Sequence, residues 1–87
     1  MSLQQKFEEA VEAIKTLSKR PSDNEFLELY SLFKQATVGD INTTRPGMMD
    51  VKGKAKWDAW KSKECMSQDN AKEEYIKLVN RLVEKYK

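Results

Sequence analysis

Lysines set beside aromatic side chains are the residues in this chain best placed to do chemistry. Tyr30 and Lys34 are four residues apart with Phe33 between them, so on a helix Tyr30 and Lys34 share a face. Lys52 and Lys56 repeat that spacing further along. Ammonium groups converging from separate helices can bind the phosphates of a nucleotide, while an aromatic face stacks on its base. The combination suits a phosphorylated adenine. Residue type alone leaves a second reading open. Lysine pairs at this spacing are common on solvated helices, and aromatics at helical spacing more often pack a core. Trp57 and Trp60 fit packing best, with Trp57 also able to line a groove.

Other chemistries find little support. The 87 residues include no histidine and one cysteine, Cys65, so His-based catalysis, zinc binding and an internal disulfide are excluded. There is no nucleophile motif, glycine-rich phosphate loop or set of carboxylates at metal spacing. The 14 acids lie mainly opposite the apolar stripes and read as a solvated face. The reading is therefore of a binding protein, with no enzyme activity, metal or cofactor. A net charge of +2 is too small to imply nucleic-acid binding, yet from Arg45 to Lys63 six basic residues face two acids, Asp50 and Asp58. That segment should form a local basic surface. The N-terminal residues lack the pattern of a signal peptide and no apolar run reaches membrane-spanning length, which predicts a soluble, cytoplasmic protein.

The elements that must position these residues are helices. Leu3, Phe7, Ala10, Val11, Ile14 and Leu17 form an amphipathic stripe, predicting a first helix over about residues 3 to 16. Arg20-Pro21 breaks it, and Ser22 with Glu25 three residues on is a capping box that starts a second helix, ending at Ala36 or Thr37 before Gly39. Residues 38 to 50 are rich in turn chemistry and form a long loop. Asp50 can cap a third helix, in which Gly53 near the start costs little, and Ser67 a fourth running to the C-terminus. Lys85 and Lys87 complement the dipole of that last helix. No strand pattern or internal repeat is present, so the chain reads as all-α, a single domain over residues 1–87.

The contiguous text from Tyr30 to Asp40 (YSLFKQATVGD), then Arg45-Pro46-Gly47 and the run from Lys52 to Trp60 (KGKAKWDAW), resembles the signature of the acyl-CoA-binding protein family, also called diazepam-binding inhibitor. The resemblance is collinear over nearly the whole chain, taking in the first-helix pattern, the Arg20-Pro21 break and the last helix with Tyr75. It implies a four-helix bundle in up-down-down-up order, the long loop crossing between the second and third helices. It also implies that long-chain acyl-CoA is the ligand. Tyr30, Phe33, Lys34 and Lys56 would hold the 3′-phosphate and adenine. Lys15, Lys52 and Tyr75 would lie around the pantetheine and thioester, and Ser31 and Leu32 would line the same turn. Val11, Phe26 and Leu27 are candidates for the acyl chain. Two positions depart from the family pattern. Phe33 stands where tyrosine is usual, keeping the aromatic face without the hydroxyl. Cys65 stands where many members have glycine, and a residue with a β-carbon is strained there if the position has positive φ.

The expected function is an intracellular acyl-CoA carrier and pool former, monomeric, binding no nucleic acid and touching acyl-CoA-using enzymes and membranes transiently. A secreted receptor-modulating peptide is the alternative. Two other readings are a nucleic-acid or acidic-membrane surface on the basic third helix and a domain cut from a larger lipid enzyme. The start at Met1 and the end within the last helix favour a stand-alone member.

Overall fold

The computed structural model describes residues 2–86 as four helices, with no strand among them. Helix α1 spans Leu3–Lys15, α2 Asp23–Thr37, α3 Val51–Lys61 and α4 Gln68–Lys85. Each starts where a side chain satisfies amides that the helix itself leaves unpaired. Ser22 and Glu25 form the expected reciprocal box, at 3.2 and 2.8 Å. Asp50 accepts from the Gly53 amide at 2.9 Å and Ser67 from Asn70 at 3.0 Å, as their positions suggested. A second box, Ser2 with Gln5, caps α1 and was legible as S-x-x-Q. Gly53 does more than its position suggested, because a Cβ there would overlap the Asp50 carboxylate that caps α3. Lys87, expected to complement the dipole of α4, lies outside the described residues.

Contacts at the helix ends fix the directions. Lys85 and the Tyr86 hydroxyl reach Glu25 at the start of α2, at 2.7 and 2.5 Å, while Gln68 at the start of α4 donates to the Ala36 carbonyl at 3.3 Å. Helices α2 and α4 are therefore antiparallel. Helices α1 and α4 run together, since Phe7 packs edge-on to Tyr75 and the Ser18 hydroxyl reaches the Tyr86 carbonyl. Helix α3 runs with α2, since Lys56 lies beside Phe26 and Tyr30 and, a turn later, Trp60 bonds to Gly39. The order is up-down-down-up.

The main core lies among α1, α2 and α4, where Phe7, Leu32, Ala71, Val79 and Leu82 are each at most 3 % exposed. Burying each of the larger of these apolar side chains contributes about 1.5–3 kcal/mol. Helix α3 stands outside this core and packs, among the other helices, only against α2. Trp60 is its one buried residue. That single seam between α2 and α3 is where Tyr30, Lys34, Lys52 and Lys56 meet.

Candidate functional site

The seam is built from two parallel helices and the loop, residues 38–50, that joins them. A loop of that length could not hold a defined wall without anchors, and the tryptophans of α3 supply two of them. The Trp57 indole N–H donates to the Thr43 carbonyl at 3.0 Å and that of Trp60 to the Gly39 carbonyl at 2.9 Å. A third anchor is the fork of Arg45 on Asp58, two bonds of 3.0 Å each. The guanidinium holds the Asp58 carboxyl below its ordinary range, and the carboxylate raises Arg45 in return. Gly39 takes φ +97°, a backbone conformation open to glycine without strain.

Loop and helices together enclose a cleft of about 410 Å³. Tyr30 and Lys34 face it from α2, Lys56, Trp57 and Trp60 from α3, and Thr43, Thr44 and Pro46 from the loop. The Lys34 ammonium lies 5.1 Å from the Trp60 ring centre, and that of Lys56 lies 5.4 Å from Tyr30 and 5.8 Å from Phe26. Neither lysine has a carboxylate partner among the described residues. Two half-buried cations resting on aromatic faces, with no counter-ion, form a site that attracts an anion and offers rings for a planar base to stack on.

A second cleft, of about 300 Å³, continues from the first along the same seam. Phe26, Leu27, Val51 and Ala55 give it apolar walls, and Arg20, Asp23 and Lys52 edge its far end. Lys56 lines both clefts. The stretch of α2 from Tyr30 back to Asp23 is about 10 Å of helix. A molecule with a phosphorylated, aromatic head and an apolar tail would lie with its head at Lys34 and its tail toward Arg20.

Of the residues singled out in the sequence, Tyr30, Lys34, Lys52 and Lys56 line these clefts, as do Phe26, Leu27, Trp60 and Trp57, the last of these a groove residue as its type allowed. The others stand elsewhere. Ser31 is fully buried with its hydroxyl donating to the Glu28 carbonyl at 2.8 Å, and Leu32 belongs to the core. Phe33 stacks on Phe7 at 5.9 Å on the α1 side of α2, close to Tyr75. Tyr75 is 4 % exposed, and burial raises its phenol above the ordinary value. Lys15 is exposed at the end of α1 and pairs with Glu12 at 3.6 Å, and Val11 packs beside the core. Thr43, Thr44, Pro46, Arg20, Asp23, Val51 and Ala55 were missed as wall residues. The length of the loop was the one signal that its residues had a task.

Comparison with known proteins identifies relatives of the chain and of its fold. Residues 4–79 match the family described as "Acyl CoA binding protein". A Drosophila melanogaster protein named "Acyl-CoA-binding protein homolog" is 55 % identical over 82 residues, which cover 94 % of this chain and 95 % of that one. The "Acyl-CoA-binding protein homolog 1" of Caenorhabditis elegans is 51 % identical over 80 residues, or 92 % and 93 % of the two chains. The crystal structure of Oryza sativa acyl-CoA-binding protein 2 superposes with a TM-score of 0.92 at 46 % identity, covering 97 % of this chain and 93 % of that one.

Proposed function

The chain belongs to the acyl-CoA-binding protein family, and on that premise we propose that it binds long-chain fatty acyl-CoA in the seam between α2 and α3 and carries it without turning it over. The position of Lys56 supports this reading most directly. It stands where a basic, aromatic cleft meets an apolar one, so a single side chain touches both halves of an amphipathic ligand.

In this assignment Lys34 and Lys56 leave their aromatic faces to bond phosphate oxygens, and the ring of Tyr30 stacks on adenine. Distributed ammonium groups suit a head with several phosphates, since each can turn to a different oxygen. The acyl chain lies along Phe26, Leu27 and Ala55, with Lys52 near the far end. Ser31 and Leu32 support the turn of α2 that presents Tyr30 and Lys34. Phe33, backed by the buried Tyr75, extends the aromatic surface toward α1, and Lys15 adds an exposed cation. The protein acts as one domain and a monomer in the cytoplasm, meets membranes and acyl-CoA-using enzymes only in passing, and needs no cofactor.

Isothermal titration with palmitoyl-CoA, free coenzyme A and palmitate tests this reading. The thioester should bind far more tightly than either half. Lys34→Ala and Lys56→Ala should each weaken it by more than about tenfold, because a hydrogen bond to a charged group contributes about 1.5–3 kcal/mol. Affinity should grow with acyl length until the cleft is filled, at about 0.8 kcal/mol per buried methylene. Absence of palmitoyl-CoA binding would sink the carrier reading.

A further inference from the structure

The turn that leads into α3 carries apolar surface that packing does not explain. The Asp50 amide donates to the Gly47 carbonyl at 3.1 Å, closing a turn with Met48 and Met49 at its two corners. Such corners ordinarily take Gly, Asn, Asp, Ser or Pro, each for a conformational reason that methionine does not share. Here Met48 is 85 % exposed and Met49 98 %, and Val51 beside them is 72 % exposed. The surrounding charge is predominantly basic, with Asp23 the one exposed acid beside Arg20 and Lys52 at the end of the cleft. The Asp50 carboxylate is engaged in capping α3 and that of Asp58 is held by Arg45, while Lys52, Lys54 and Arg20 have no ion-pair partner among the described residues. Val51 also walls the apolar cleft, whose far end Arg20, Asp23 and Lys52 edge.

We propose that this tip, Met48, Met49 and Val51 flanked by Lys52 and Lys54, docks on an anionic lipid bilayer. Projecting, unbranched side chains suit a fluid interface better than a rigid pocket, because thioether chains adapt to irregular apolar surroundings. The lysines would stay at headgroup level, each basic residue near an anionic surface strengthening binding by roughly fivefold. So small a patch gives weak, reversible attachment. In the docked state the end of the acyl cleft faces the lipid, giving an acyl chain a short dry path between protein and membrane. That consequence rests on the carrier reading. The docking itself does not, and it can be measured on the unliganded chain.

The test is flotation of the unliganded protein with phosphatidylcholine vesicles, with and without phosphatidylserine, alongside palmitoyl-CoA titration of the same variants. The protein should float with phosphatidylserine vesicles at low salt and be released as salt rises. Met48→Ser/Met49→Ser should lower the partition by about tenfold, and Lys54→Gln by roughly fivefold. Both variants should melt like the parent and keep its palmitoyl-CoA affinity. No flotation, or flotation unchanged in the methionine variant, would overturn the proposal. If that variant loses palmitoyl-CoA affinity with its vesicle binding intact, the tip belongs to the ligand site. If it slows only delivery to an acyl-CoA-using enzyme in the absence of lipid, the tip is a protein contact. Either result would also refute bilayer docking.

Discussion

Cys65 shows how a single backbone angle can outweigh the side chain that carries it. Its φ is +78°, a region where a Cβ crowds the neighbouring carbonyl at a cost of about 1–2 kcal/mol. The conformation persists because its amide donates to Asp40 Oδ1 at 2.8 Å, and the same oxygen accepts from Gln35 at 2.9 Å. Gln35 is fully buried and donates a second bond to the Met66 carbonyl at 2.7 Å, tying the end of α2 to the start of α4. These donors, the Cys65 amide first, hold the Asp40 carboxyl below its ordinary range. The thiol is exposed and adds nothing to this link. Cys65→Gly should therefore stabilise the protein by roughly 0.5–1 kcal/mol, the relief of strain exceeding the entropy glycine adds to the unfolded chain. Chemical denaturation would read the gain, with Cys65→Ala as the control that removes the thiol but not the strain. An equal gain from alanine would refute the backbone account. The sequence raised this strain as a condition, and only the fold could show that the condition is met.

At the scale of elements, the start of α2 and the end of α4 are joined through Glu25. Lys85, Tyr86 and the Ser22 amide all donate to its carboxylate, and the first of these contributes most in lowering its pKa from 4.5 to about 2. A carboxyl depressed in the folded state stabilises the fold above its unfolded value and loses that contribution as pH falls toward the folded one. Unfolding midpoints of the parent should therefore fall between pH 4.5 and about 2. Glu25→Gln should flatten that part of the profile. Parallel profiles for the two proteins would show that other carboxylates govern acid unfolding. The helices themselves were legible because their signals are local: Ser22, Asp50 and Ser67 each cap the helix expected of them. Half of the site was legible on the same ground, since Tyr30 and Lys34 share a face by spacing alone. Adjacent helical residues point roughly 100° apart, so Phe33 turns toward α1 while Lys34 faces α3. Which side would meet α3 depends on tertiary packing that spacing does not encode. The loop wall was hidden for a related reason, since its anchors join Thr43 to Trp57 and Arg45 to Asp58 across stretches with no periodicity.

Across the whole molecule, cohesion is unevenly shared. Helices α1, α2 and α4 bury one another, whereas α3 leans on α2 alone. Proteins open in cooperative pieces whose free energies follow how much each piece buries, and the least buried piece opens first. By that measure α3 with its loop is the unit that opens most easily, and the seam proposed to hold the ligand lies between it and its only helical neighbour. Backbone amides of Ala55 to Trp60 should exchange with solvent deuterium faster than those of Leu78 to Leu82 in the empty protein, and palmitoyl-CoA should slow the first set far more than the second. Equal protection in the empty protein would contradict this. Cargo spanning α2 and α3 would then act as the second neighbour that α3 lacks. Loading would change how often the molecule breathes more than what shape it has, and the helix that would part to release the cargo is the one the cargo itself would hold shut.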